Sequence, residues 1–371
     1  MSSTHVQQSP LQPKTGNLLP GPREFNHEVE INGNEKWPSA SYPHYLPTWS
    51  HEQKYPPLQP FEHRDPGLDA DPKLFNLLST HCTLEHLTPT IGTKVHGSLQ
   101  IRGLSAAAKN DLALLVAQRK VVIFCNQDFA DLPIPDALAW GSHFGRHHIH
   151  PTNGSPDKYP EIQIAHRGAG DSSFEGFFEG RTSSVAWHSD VTYEQQPPGT
   201  TIMYNLEIPE SGGDTLFSDQ AEAYRRLSPV FQQRLHGLQV VHSAVQQGEY
   251  NRKKGGILRR EPIETVHPLV RTHPVTGEKA LFVNKQFSRH IVGMKREESD
   301  MLLNFLYQHT LSGADFQLRL HWEPRMVVLW DNRSTAHSAI FDWASQERRH
   351  LARITPQAER PFETPFESVS H

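Results

Sequence analysis

The chain is short of cysteine, of excess positive charge and of long apolar runs, and each shortage removes a class of protein. Only two cysteines, Cys82 and Cys125, occur in 371 residues. There is no CxxC pair, so neither a thiolate zinc site nor a disulfide framework is indicated. Cys125 closes the run Val121-Val122-Ile123-Phe124 and reads as a buried core thiol. The formal net charge is -5, the wrong sign for a protein that coats nucleic acid. No stretch approaches the roughly 18 consecutive apolar residues of a membrane span, and Met1 to Pro20 is polar. The expectation is a cytoplasmic protein with neither a nucleic-acid nor a membrane partner. A second copy of the chain stays open as a partner, giving a homo-oligomer. At 36% hydrophobic and 21% charged residues, the chain is rich enough in apolar side chains to fold as one large domain or two ordinary ones.

Proline and histidine are what the chain has in quantity. Of its 29 prolines, 12 fall between Pro10 and Pro72. A residue with no amide donor and a fixed φ excludes regular helix and central strand there. The same stretch carries Trp37, Tyr42, Tyr45, Trp49 and Tyr55, more aromatics than a free linker keeps. Residues 1–86 are therefore read as a proline-rich arm with a disordered tip, packed on the body or on a partner. The body is read as 87–356 and the remainder, 357–371, as a tail. Ser105 is a candidate cap for a helix over Ala106–Arg119, where Leu112, Leu115 and Val116 share a face. Lys120–Cys125 reads as a buried strand. Beyond residue 160, short strand-like runs separated by turns dominate: Glu161–Ala165, Val185–Tyr193, Thr200–Asn205, Thr215–Ser218, Ala280–Val283, Phe316–Trp322, Met326–Trp330 and Leu351–Ile354. Two helices, Ala221–Leu238 and Lys295–His309, interrupt them. Such a pattern predicts a mainly β fold with flanking helices, a sandwich or barrel.

With 24 histidines and 41 acidic residues, His-x-Asp/Glu is expected roughly three times by chance, and three copies are present: His63-Arg64-Asp65, His188-Ser189-Asp190 and His321-Trp322-Glu323. The first lies in the arm before Pro66, and the last ends at Pro324 in an edge-strand context. His188 and Asp190 sit in the apolar, β-prone run Val185–Tyr193. On a strand, residues two apart project to one face and can reach one ion. A buried ion pair or a turn-facing histidine fits the same local sequence.

The surroundings add more. Trp187-His188-Ser189-Asp190-Val191-Thr192-Tyr193 is followed by Pro197-Pro198-Gly199 and Ser211-Gly212-Gly213-Asp214-Thr215-Leu216. Upstream stand Leu87-Thr88-Pro89, Ile91-Gly92, Phe144-Gly145 and His148-Ile149-His150-Pro151. Downstream come His267-Pro268-Leu269-Val270-Arg271-Thr272-His273-Pro274, Leu281-Phe282-Val283-Asn284, Leu329-Trp330-Asp331-Asn332-Arg333, His337, and Arg348-Arg349 with Arg353. In this order, over about Leu87 to Thr355, the chain resembles the taurine/alpha-ketoglutarate dioxygenase (TauD/TfdA) family. Its arm looks most like that of the fungal sulfonate dioxygenases.

The resemblance implies a double-stranded β-helix, or jelly roll, and a non-haem Fe(II) oxygenase using 2-oxoglutarate and O2. It implies His188, Asp190 and His337 as iron ligands, Thr215 and Arg349 as residues binding 2-oxoglutarate, and His150 and Arg353 as contacts to the substrate's anion. A guanidinium suits a buried carboxylate because it binds in bidentate fashion and stays charged. On an extended strand Arg349, Leu351 and Arg353 share a face, whereas Arg348 is expected at the surface. The second cation points to a small anionic or zwitterionic substrate, a sulfonate such as taurine or a relative. The alternative is an aliphatic amino acid hydroxylated, desaturated or cyclised in a biosynthetic step. Ser184 and Asn153 replace the asparagine and tyrosine of taurine-specific relatives, and the loop after His337 is one residue longer. Its Ile340, Phe341 and Trp343 are candidates for an apolar pocket wall. These departures put taurine itself in question and leave the reaction class unchanged.

Overall fold

The structure, a computed structural model, describes residues 39–78, 82–171, 178–179, 181–344 and 346–366. The expected disordered tip and the last residues of the tail lie outside them.

A seven-stranded sheet forms the frame. Its order is β1 (Thr83–His86), β2 (Thr93–His96), β3 (Val121–Phe124), β14 (Val327–Asp331), β6 (Thr200–Glu207), β16 (Arg349–Ile354) and β5 (Ile162–Arg167). All neighbours are antiparallel except β2 and β3. The central strands are buried on both faces, so they read as unbroken apolar runs. Val121, Ile123, Val328, Trp330 and Leu351 face one way and pack against Phe217, Leu318 and Leu320. The latter come from a second sheet of β13 (Gln317–Leu320), β7 (Thr215–Asp219) and β15 (Thr335–Ala339). Val122, Phe124, Val327, Leu329, Ala352 and Ile354 face the other way.

That outer face is covered by two helices and by the arm. In α1 (Ala106–Arg119) the Ser105 hydroxyl accepts from the Ala108 amide, and Leu112, Leu115 and Val116 are buried as the spacing predicts. Ile134 and Trp140 of α2 (Ile134–Gly141) join them. Tyr45, Leu74 and Leu77 of the arm belong to the same core, and the Tyr204 hydroxyl donates to that of Tyr45 at 3.0 Å. Within the described residues the arm thus packs on the body. A third core lies under a smaller sheet of β12 (Ser288–Ile291), β8 (Gln239–Ser243) and β9 (Glu264–Pro268).

Four expectations are corrected. The helix expected over Ala221–Leu238 is two, α3 (Gln220–Arg225) and α4 (Pro229–Leu235). Ser228 is extended before Pro229 and caps a new helix by accepting from Phe231. Val185–Tyr193 is not a strand. It makes one antiparallel bridge, His188 to His337, then turns at Val191, whose φ is +40°. Arg348 is not a surface side chain: 9% exposed, it lies 3.0 Å from His166 Nε2 and 3.5 Å from Glu207 Oε1. Cys125 is half-buried rather than a core thiol.

Candidate active site

The inner faces of the two facing sheets supply most of the site. β15 pairs with β7 so that His337 opposes Phe217 and Ala339 opposes Thr215, and opposed residues share a face. On β16 the alternation holds, with Arg349, Leu351 and Arg353 directed between the sheets. His188 and His337 exchange backbone hydrogen bonds of 3.0 and 2.7 Å, which brings their ring centroids to 4.4 Å with the planes tilted by 45°. Asp190 follows in the turn. Its carboxylate is 3.8 Å from His188 Nε2 and 3.7 Å from His337 Nε2.

The tautomers suit metal binding. His188 Nδ1–H donates to the Ala186 carbonyl at 2.8 Å, leaving the Nε2 lone pair directed toward Asp190. Burial lowers the pKa of both imidazoles, that of His337 to about 3, so both are neutral at pH 7. Burial would raise Asp190, but Arg353, His337 and His188 pull it down to about 2. Two imidazole nitrogens and one carboxylate, all within 4.8 Å of one another, open on a cavity of about 1530 Å³. This donor set fits a divalent iron with positions left for other ligands.

Thr215, Arg349, Arg353 and His150 line the same cavity. The Trp322 indole donates to Thr215 Oγ1 at 3.0 Å, which leaves the hydroxyl proton free to point inward. Arg349 Nε donates to the Gly213 carbonyl at 2.8 Å, and its guanidinium lies over the Trp343 ring at 5.6 Å. No carboxylate among the described residues pairs with it, and burial lowers its pKa to about 10. Gly213 is required beside it: φ is +69°, and a Cβ would lie 2.9 Å from Arg349 Cδ.

Arg353 makes the opposite choice. Its Nη1 lies 3.0 Å from both Asp190 oxygens and 3.5 Å from His337 Nε2, and its Nε donates to Gln163 at 3.0 Å. It neutralises the carboxylate while lining the cavity. His150 is buried, and Nδ1 accepts from the amides of Thr152 and Asn153. The neutral ring therefore carries its proton on Nε2, available to a ligand. Phe341 and Trp343 line the cavity as expected, whereas Ile340 and Ser184 do not. Ser184 instead accepts from the Phe341 amide at 3.1 Å.

The other two His-x-Asp/Glu copies are used elsewhere. Asp65 pairs with Arg333. His321 bonds Asp214, and Glu323 pairs with Lys94. Sequence reasoning missed Trp322, Gln163 and Asn332. Asn332 accepts from the Asp190 amide at 2.7 Å and donates to the Asp190 carbonyl at 3.1 Å, standing in for a missing strand partner.

The model of the taurine catabolism dioxygenase TauD, TfdA family matches residues 83–355. The chain belongs to this family. It is 48% identical over 328 residues to an alpha-ketoglutarate-dependent sulfonate dioxygenase of Saccharomyces cerevisiae, covering 87% of this chain and 79% of that one. It is 40% identical over 354 residues to the alpha-ketoglutarate-dependent dioxygenase cnsP of Penicillium expansum, covering 93% of each. A taurine dioxygenase structure from Burkholderia xenovorans superposes with a TM-score of 0.61 at 30% identity, covering 76% of this chain and 91% of that one. This TauD/TfdA member is thus a dioxygenase dependent on 2-oxoglutarate, the alpha-ketoglutarate of those names, and its fold is mainly β with helices. No helix among the described residues is long and apolar enough to cross a membrane.

Proposed function

We propose that this enzyme holds Fe(II) with His188, Asp190 and His337, binds 2-oxoglutarate through Arg349 and Thr215, and oxidises a C–H bond of a small sulfonate. The observation that carries the reading is Arg349. A buried guanidinium with no acidic partner among the described residues, facing the cavity of the His-Asp-His cluster, is a site for an anion. 2-Oxoglutarate supplies such an anion in its distal carboxylate, and the Thr215 hydroxyl is oriented to add a hydrogen bond. Bound iron and 2-oxoglutarate supply the oxidative chemistry: decarboxylation to succinate and CO2 coupled to O2 reduction and substrate oxidation.

The protein's own residues bind, orient and exclude water. Arg353 lines the cavity beside Asp190, and a metal held by that carboxylate would compete for it and free the guanidinium for a substrate anion. His150, whose proton is on Nε2, lines the same cavity. Together they suit a sulfonate, and the sulfonate dioxygenase of Saccharomyces cerevisiae supports that choice. The two facing sheets support a double-stranded β-helix over 87–356, with residues 39–78 of the arm packed on it.

The test is succinate release with Fe(II) and 2-oxoglutarate across a panel of sulfonates, sulfate esters and aliphatic amino acids. Sulfonates should turn over, His337→Ala should be inactive, and Arg353→Gln should raise the sulfonate KM more than the 2-oxoglutarate KM. Turnover of an amino acid with none of any sulfonate would overturn the substrate assignment.

A further inference from the structure

Asp190, the acidic member of the cluster, sits in a turn and not on a strand, so something other than a sheet must hold it. Asn332 does so through both backbone groups of Asp190, and its Nδ2 also reaches the Pro198 carbonyl at 3.4 Å. One residue earlier in the loop, Ser189 donates to the Thr335 carbonyl at 2.7 Å. The geometry of Asp190 is therefore that of the turn linking β14 to β15, which also leads directly to His337.

That turn is held by charge. Arg333 grips Asp331 in bidentate fashion, Nε to Oδ1 at 2.8 Å and Nη2 to Oδ2 at 2.7 Å. His273 Nδ1 accepts from the amides of Val275 and Thr276, so its Nε2–H donates to Asp331 Oδ2 at 2.8 Å. Arg333 and Asp331 are both fully buried. The remaining Arg333 nitrogen, Nη1, points at Asp65 Oδ2 from the proline-rich arm. Asp65 is fixed in turn by accepting from the Gly67 amide at 2.7 Å. The other acid near Nη1 is Glu359, at 3.4 Å, already paired with Arg271.

We propose that Asp65 is a positioning residue of the metal centre, acting through Arg333 and the Asp331–Thr335 turn on Asn332 and so on Asp190. Without the Asp65 charge, a buried Nη1 is left to swing toward Glu359, which breaks the fork on Asp331 and shifts the turn. The arm is thereby part of the site. This rests on the assignment of His188, Asp190 and His337 as metal ligands.

The test uses the full chain and Co(II) as probe, with affinity read by calorimetry and geometry by the visible spectrum. Asp65→Asn should weaken Co(II) about tenfold or more, the usual cost of disturbing residues behind metal ligands, and change the spectrum. The control is Asp111→Asn. Asp111 is a buried anchor of the same arm, accepting from the amides of Asp71, Asn76 and Leu77, and is separate from the Arg333 cluster. It should lower the melting temperature while leaving Co(II) affinity within about twofold. The losses from Asp65→Asn and Asn332→Ala should be less than additive in the double variant, since they act in one chain of contacts. If Asp65→Asn does not fold, Asp65→Ser, which removes the charge and keeps an oxygen acceptor for the Gly67 amide, takes its place with the same expectations. Unchanged Co(II) affinity in a folded Asp65 variant, equal loss in Asp111→Asn, or strict additivity overturns the proposal. Failure of wild-type protein to bind Co(II) in a His337-dependent way overturns the metal assignment instead.

Discussion

Replacing Arg349 by methionine should leave the ligand-free protein as stable as before and yet abolish useful 2-oxoglutarate binding. Burial depresses the Arg349 pKa from its ordinary value to about 10. The group stays charged at pH 7 in both folded and unfolded chains, so the full penalty of burying that charge is present there. At roughly 1.4 kcal/mol per unit, this is about 3 kcal/mol working against the empty fold. Methionine removes the penalty and keeps the apolar stem over Trp343. It also removes the hydrogen bond to the Gly213 carbonyl, a loss of about 1–3 kcal/mol for a buried group left unsatisfied. The two nearly cancel. With 2-oxoglutarate bound, the balance is different. Its distal carboxylate would be stranded beside a thioether, a loss of about 3–5 kcal/mol, or roughly 150- to 4,000-fold in affinity. Thermal unfolding with and without 2-oxoglutarate, together with its KM from succinate release, reads both effects. A loss of affinity below about tenfold would show that the carboxylate sits elsewhere. A fall of more than about 2 kcal/mol in ligand-free stability would show that Arg349 is a structural pin.

Gly213→Ala should act on the same arginine from the backbone side. The positive φ and the 2.9 Å approach to Arg349 Cδ should cost about 1–2 kcal/mol of stability and raise the 2-oxoglutarate KM, with the sulfonate KM moving less. Thr215→Val should weaken 2-oxoglutarate by about 5- to 10-fold through the lost hydroxyl and leave the Trp322 indole unpaired, lowering stability by about 1–2 kcal/mol. A matching Trp322→Phe change in the Thr215→Val background should recover part of that stability and none of the affinity, as measured by melting temperature and 2-oxoglutarate titration.

Much of the site is legible along the chain through its ordered motifs and the family resemblance they carry. Arg349 and Arg353 were placed on one face by alternation alone, and β16 obeys it. Thr215 and His337 fall on inner faces for the same reason. Other features were hidden by the same logic. An apolar, β-prone run from Val185 to Tyr193 reads as a strand, yet its partners are the side chain of Asn332 and a single bridge to His337 rather than a ladder. Arg348 reads as the exposed neighbour of Arg349, but the outer face of β16 is covered, so it is half-buried beside His166 and Glu207.

By itself, the sequence determined the chemical inventory and its order: a mainly β chain, a His-x-Asp followed at long range by a third histidine, and two arginines four apart on one strand. Spacing within a strand is a local property, and local periodicity carries it. The tertiary structure decided which His-x-Asp faces a cavity, which arginine has no acid beside it among the described residues, and that Asp65, in a third copy of the same motif far back in the arm, closes the ion cluster behind Asp190. Burial and charge pairing are set between segments more than a hundred residues apart, and no periodicity along the chain encodes them.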